Sequence, residues 1–136
     1  MALGFTTAVR NARMDAITTA VNASGKLRFY NAPRPADANT AVSTQTLLAE
    51  LTCALSFANA AASAAITANA ITAANANAGA GAGTTATWFR LTTSAGTAIM
   101  DGNVATTASD LNVSSTTFVS GQQVSVTSWT ITDGNA

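Results

Sequence analysis

Leu47-Leu48-Ala49-Glu50-Leu51-Thr52-Cys53-Ala54-Leu55-Ser56-Phe57 is the stretch that decides the fold. Leu47, Ala49, Leu51, Cys53, Leu55 and Phe57 stand at alternate positions, with Glu50, Thr52 and Ser56 among the residues between them. A side-chain period of two belongs to a half-buried β-strand, so the first set faces a core and the second faces outward. On that inward face Cys53 reads as a small buried hydrophobe. The chain has no histidine, and no basic residue stands near Cys53 in sequence to lower its thiol pKa.

The same alternation appears upstream in Lys26-Leu27-Arg28-Phe29-Tyr30, which places Leu27 and Phe29 on one face and Arg28 and Tyr30 on the other. Asn31-Ala32-Pro33-Arg34-Pro35 then has to be extended and unpaired, because proline lacks an amide donor and restricts its predecessor. Residues 33–42 read as an ordered surface loop, with Pro33, Arg34 and Pro35 as a candidate contact arm.

Downstream, residues 85–93 are rich in β-branched and aromatic side chains, and Ser94-Ala95-Gly96 supplies a reversal. Residues 97–100 return, and Asp101-Gly102-Asn103 is expected to turn again. Leu111 and Val113 alternate with polar neighbours before a turn at Ser120-Gly121-Gln122. The last strand spans residues 123–132, where Val124 and Val126 share one phase and Trp129 and Ile131 the other. A bulge near Thr127-Ser128, or burial of both faces against a neighbouring subunit, reconciles them. Short strands about ten residues apart, with Gly, Asn and Asp turns, predict a mainly β fold: an antiparallel β-sandwich or barrel, jelly-roll-like.

One α-helix precedes it. Val9, Ala12, Ala16, Ile17, Ala20 and Val21 follow a 3.6-residue repeat, with Arg10, Asn11, Asp15, Thr18 and Thr19 largely opposite. Thr6 or Thr7 caps the start, and Asn22-Ala23-Ser24-Gly25 ends it, with glycine expected to supply the left-handed residue. The chain thus divides into an amino-terminal helical arm, residues 1–25, and a single β-sandwich domain, residues 26–136. Within the latter, residues 58–84 form an Ala/Gly-rich loop region. A short strand is expected over residues 65–72, carrying Ile66 and Ile71, ahead of a flexible Gly79-Ala80-Gly81-Ala82-Gly83 loop.

Composition narrows the function. Ala, Thr, Ser and Asn account for 77 of 136 residues, and six basic residues balance six acidic ones. Charged residues are 9% of the chain, against about a quarter in an average domain. Phosphate-backbone binding needs a basic excess, so nucleic acid is not an expected partner. Neither is a membrane: Asn and Thr recur through residues 58–83, where a spanning helix needs about 20 predominantly apolar residues. Nor does an apolar run of signal-peptide type follow Arg10 and Arg13.

Catalytic and cofactor motifs are equally sparse. The Gly79 to Gly83 run has neither the dinucleotide spacing nor the Lys-Ser/Thr of a P-loop. Asp101, Asp110 and Asp133 sit beside turn residues, which explains them without acid–base catalysis, and a serine nucleophile has no histidine base. Asp101-Gly102-Asn103 with Asp110 offers oxygen ligands of the kind calcium takes but lacks the carboxylate density of an EF-hand, so no metal is assigned. The expectation is a non-enzyme without cofactors. Tyr30, Trp88 and Trp129 are candidates for an aromatic contact platform, with core packing as the other use of such side chains.

Taken together, residues 26–35, 47–51, Asp101-Gly102, Asp110-Leu111-Asn112 and 119–132 resemble a family of small virion structural proteins of tailed bacteriophages, described as head decoration, minor capsid or tail-associated proteins. The resemblance implies a homo-oligomer, trimer or dimer, bound to the major capsid protein in the virion after synthesis in the host cytoplasm. A capsid decoration or cement protein is the leading reading, and a tail, collar or tail-fibre component contacting host surface glycan is the alternative. Arg10 and Arg13 on the helix, with Pro33, Arg34 and Pro35, are the expected partner contacts, and Tyr30, Trp88 and Trp129 the expected glycan contacts.

Overall fold

A computed structural model of the chain describes residues 3–134; the ends of the two expected units, residues 1–2 and 135–136, lie outside them. Helix α1 (Thr7–Val21) is followed by β1 (Lys26–Tyr30), β2 (Leu47–Thr52), β3 (Ala65–Thr67) and β4 (Ala74–Asn75). A 3-10 turn (Ala78–Ala80) leads to β5 (Thr84–Thr85), β6 (Trp88–Thr92) and β7 (Ala98–Ala105). The chain closes with β8 (Leu111–Asn112), β9 (Thr117–Phe118), β10 (Gln123–Val124) and β11 (Thr130–Thr132). The fold is mainly β with one amino-terminal helix, as the alternation predicts, and its main sheet is a curled, antiparallel-dominated half-barrel. That sheet runs β2-β1-β6-β7-β8, and β10-β4, β11-β3 and β5-β9 form three two-stranded ladders. The β7–β8 pairing is parallel.

Register sorts the sheet into two chemically distinct faces. Leu51, Leu27, Leu91 and Met100 lie in one row across β2, β1, β6 and β7, and Ala49, Phe29, Phe89 and Gly102 lie in another. These rows build the core, joined by Val21, Ile66, Leu111, Phe118 and Trp129 from elsewhere in the chain. The row between them is Glu50, Arg28, Arg90 and Asp101, pointing to the opposite face. At Gly102 the Phe89 ring sits where a side chain would go: an added Cβ would meet its Cε1 and Cζ at 2.5 Å.

Alternation in β2 stops where its partner runs out. Cys53 N–H still donates to Gly25 O at 2.8 Å and Ala54 O accepts from Ser24 N–H at 3.3 Å, but beyond these the neighbouring chain turns into the helix, and Leu55, expected in the core, is 79% exposed. Leu48 moves the other way. The register slips between Phe29 and Tyr30, leaving Leu48 as the extra residue of an irregular pairing, and its side chain is fully buried.

The helix is capped as expected, with Thr6 Oγ1 accepting from Val9 N–H at 3.4 Å, but of its expected apolar stripe only Ile17 and Val21 pack on the core. Val9, Ala12, Ala16 and Ala20 are exposed, whereas Met14 and Val21 are buried and Asn11 and Asp15 face the β domain. Asn11 Oδ1 accepts from Ala64 N–H and Asp15 Oδ1 from Ala61 N–H, each at 2.7 Å. Ser63 and Ala64 adopt left-handed φ values of 51° and 62° in this loop. A buried amide left unsatisfied costs about 1–3 kcal/mol, more than the ~0.8 kcal/mol gained by burying one alanine methyl, so the polar face wins. Residue 25 is not a packing boundary, since Met14 and Val21 belong to the same core as the sheet.

Gly25 also departs from expectation. The left-handed residues closing the helix are Asn22 and Ser24, and Gly25 is required for close approach: an added Cβ would lie 2.3 Å from Val21 Cγ1 and 2.7 Å from Thr92 O. Neither atom can swing aside, one being on a β-branched buried side chain and the other on a strand backbone. Gly25→Ala is expected to destabilise by about 1–3 kcal/mol, read as a lower urea midpoint at unchanged slope.

Three other local expectations are corrected. Residues 65–72 do not make one strand: β3 carries buried Ile66, while Ile71 packs on the core from outside any strand. The glycine-rich run begins as the 3-10 turn with Ala80 fully buried, packed where a Gly79 Cβ would meet Thr46 Cγ2 at 2.6 Å. The final stretch breaks into β10 and β11 in separate ladders, which lets Val124, Val126 and Trp129 all be buried without a bulge.

Candidate interaction surface

The outer face of the sheet centres on Arg90. Its Nε and Nη2 donate to Asp101 Oδ1 and Oδ2, both at 2.7 Å, and the two side chains are only 7% and 4% exposed. Asp101 therefore lies within β7 as the partner of a buried guanidinium, not in the expected turn, and its oxygens are already engaged. The hydrogen bonds to Asp101 hold the Arg90 pKa above its ordinary value, outweighing the opposing effect of burial. Alongside, Arg28 Nε pairs with Glu50 Oε2 at 2.6 Å.

Residues 31–46 fold over this face. Arg90 Nη2 donates to Thr40 O at 2.9 Å, Thr87 Oγ1 to Ala32 O at 2.8 Å and Gln45 Nε2 to Pro33 O at 2.8 Å. At the base of the loop Thr46 N–H donates to Asn31 Oδ1 at 2.7 Å. The loop is thus ordered and surface-lying, with Pro33 and Arg34 exposed and Pro35 half-buried. Arg34 makes no hydrogen bond or ion pair among the described residues, and it borders two clefts, one toward Trp88 and one toward Trp129.

Arg10 and Arg13 lie elsewhere and are engaged internally. Arg13 Nη1 stands 3.2 Å from Asp133 Oδ2, Arg10 Nε 3.7 Å from the same oxygen, and Arg10 Nη2 donates to Asp133 O at 2.9 Å. They pin the helix to the end of β11, and the structure does not bring them together with Pro33, Arg34 and Pro35.

The three candidate aromatics are buried. Tyr30 and Trp88 stack at 4.5 Å with 15° between their planes, Arg90 lies 5.5 Å from the Trp88 ring, and Trp88 Nε1 donates to Asn31 O at 3.1 Å. Burial raises the Tyr30 pKa against the lowering influence of Arg28 and Arg90. Trp129 packs edge-on against Phe57 and Phe89. None of the three offers the open ring face that sugar stacking needs.

Asp110 Oδ2 accepts from Asn103 N–H at 2.8 Å, and no group of three or more His, Cys, Asp or Glu able to hold a metal ion occurs among the described residues. No helix among them is long and apolar enough to cross a membrane. Cys53 is buried, and burial pushes its thiol from an ordinary 9.0 to about 11, with Lys26 lowering it less. The folded thiol stays protonated where the unfolded one ionises, so this group's contribution to stability falls as pH rises from about 9 toward 11. At pH 8 a thiol reagent is expected to leave the native chain unlabelled and to react stoichiometrically in urea, measured by mass spectrometry.

Sequence reasoning missed Asn11 and Asp15 as clamps and Arg90 with Asp101 as the centre of the outer face. The signal for the second was available: one arginine inside the buried run Trp88-Phe89-Arg90-Leu91 needs a carboxylate, and a reversal centred at residues 95–96 sets Asp101 opposite it. No family model, curated protein or solved structure matches the chain.

Proposed function

We propose that this protein is a non-enzymatic structural subunit of a tailed-bacteriophage virion, a decoration or cement protein that binds the major capsid protein lattice as a trimer or dimer. The observation that supports the reading is the disposal of charge within the fold. Arg10, Arg13, Arg28 and Arg90 pair with Asp133, Glu50 and Asp101, and Lys26 Nζ donates to Thr52 Oγ1 at 2.8 Å. What faces outward is mostly neutral Ala, Thr, Ser and Asn, including the exposed Ala12, Ala16 and Ala20 face of the helix. A lattice subunit gains affinity from many weak simultaneous contacts, so such a surface serves it, and its binding responds little to salt. The resemblance of residues 26–35 and 119–132 to phage virion proteins agrees with this reading. The alternative, a tail, collar or fibre component contacting glycan, needs an open aromatic face, and with Tyr30, Trp88 and Trp129 buried it lacks a carrier.

Antibody-gold labelling of particles of the phage that encodes the chain tests the assignment. Regular labelling over the head is expected. Label confined to the tail, or absent from particles, would overturn the decoration reading.

A further inference from the structure

The curled sheet has an open edge on β7, and a second open edge lies across a cleft from it. In an antiparallel ladder alternate residues turn their main-chain groups toward the partner strand and the others turn them away. Val104 N–H donates to Thr87 O at 3.2 Å, which with the Arg90↔Asp101 register makes Gly102 and Met100 the bonded positions on β7. Asp101 and Asn103 therefore direct their N–H and C=O away from β6. The Asn103 N–H is capped by Asp110, and β8 pairs only with Val104 and Ala105, which leaves the main chain of Asp101 open among the described residues.

On β11 the same logic applies. Ala68 N–H donates to Trp129 O and Asp133 N–H to Ala64 O, so Thr130 and Thr132 turn their main-chain groups away from β3. Asp101, Thr130 and Thr132 line one cleft of about 580 Å³, with Phe89, Trp129 and the exposed Asp110 also in its wall and Arg34 at its border.

Unpaired strand edges are templates for an added strand. We propose that this cleft accepts an extended, carboxylate-bearing peptide strand from another polypeptide, paired through its main chain to the free edges of β7 and β11. The three residues of β11 span about 10 Å, which sets the paired core at three to five residues. Two carboxylates also line the cleft, but Asp101 is neutralised by Arg90 and Asp110 Oδ2 accepts from Asn103 N–H, so the unanswered charge stands at the Arg34 border and identifies the occupant. Arg34 is the exposed cation with no partner among the described residues, and a carboxylate on the entering strand answers it.

A second copy of the chain is a poor donor of that carboxylate. Asp15, Asp37, Glu50, Asp101, Asp110 and Asp133 each already accept a hydrogen bond or ion pair within the fold. The inference goes beyond the virion reading and does not depend on it.

The test uses the full chain, labelled for amide NMR, and the probe peptide acetyl-Thr-Val-Asp-Val-Thr-amide. In the free protein the amides of Asp101, Thr130 and Thr132 are expected to exchange quickly while those of Gly102 and Ile131 are protected. The peptide is expected to saturate, to shift resonances around the cleft and to slow exchange at those three amides. Arg34→Gln, at an exposed position, is expected to weaken binding about tenfold, and an Asn-for-Asp peptide to weaken it equally on the unmodified chain only. Thr130→Pro, which removes an outward amide and leaves the main-chain bonds to β3 in place while dropping the exposed hydroxyl contact with Thr67, is expected to abolish binding. Protection of the three amides in the free chain, failure of the peptide to saturate, or full binding by Thr130→Pro would each overturn the proposal.

Discussion

Trp129→Ala is expected to destabilise the protein by about 3–5 kcal/mol, measured by urea unfolding. The indole is 4% exposed and stands at a junction of elements otherwise distant in sequence. Its ring meets Phe89 of β6 at 5.0 Å and Phe57 at 5.6 Å, both edge-on, with interplanar angles of 81° and 77°. Its Nε1 donates to Asp110 O at 2.9 Å, tying the segment before β11 to the segment before β8. Removing the ring deletes apolar contact on two sides and leaves a cavity between the half-barrel and the β3–β11 ladder. Trp129→Phe separates the contributions, because it keeps most of the ring packing and drops the donor. Asp110 is exposed, so water replaces the lost bond, and the expected cost of that variant falls to about 1–2 kcal/mol. Leu55→Ala is the contrast: an equally apolar residue, 79% exposed, expected to change stability by less than about 0.5 kcal/mol. A Trp129→Ala cost no larger than that would mean the β3–β11 ladder does not share the core of the sheet.

How much of this was legible follows from where side chains alone decide. The rows Leu27–Leu51 and Phe29–Ala49 were readable because strand alternation needs no partner to be recognised, and the partner must then match it. The exposure of Leu55 was not, because it depends on the chain before β1 turning away into the helix after its last bond to this segment, Ser24 N–H to Ala54 O. The helix face was misread for a different reason. Hydrophobic periodicity ranks Ala12, Ala16 and Ala20 as inward, yet alanine gains so little from burial that two backbone amides, Ala61 and Ala64, determine the orientation through Asp15 and Asn11. In a chain so rich in alanine, the apolar pattern loses its authority over hydrogen-bond satisfaction. The aromatic residues illustrate a third limit. A sequence does not distinguish a contact platform from a core, whereas the stacking of Trp88 under Arg90 and the covering loop do. For Arg34 the sequence indicated an exposed arm, but its position between two clefts requires the loop geometry.

Asp101→Ala is expected to cost about 3–5 kcal/mol, a large share of the 5–15 kcal/mol typical of a whole domain. The reason is what remains behind. Arg90 would keep its place in β6 with its side chain 7% exposed, one hydrogen bond to Thr40 O and the Trp88 ring beside it, but no countercharge. Glu50 does not substitute, being engaged with Arg28 at 2.6 Å on β2, two strands away from Arg90 on β6. The double variant Arg90→Met with Asp101→Leu is expected to be far less destabilised than Asp101→Ala, because desolvating two charges offsets most of what a buried pair contributes. It should nevertheless loosen residues 31–46, whose contact through Thr40 depends on the guanidinium; faster amide exchange in that loop, at near-normal global stability, is the expected result. Asp101→Ala should show the reverse, a large loss of global stability with the Thr40 contact retained in the folded state. If both variants lost stability equally, the pair would be an energetic support of the sheet. If they separate as described, Arg90 and Asp101 serve chiefly to fix the loop that carries Pro33 and Arg34 over the outer face, and the charge is retained for position.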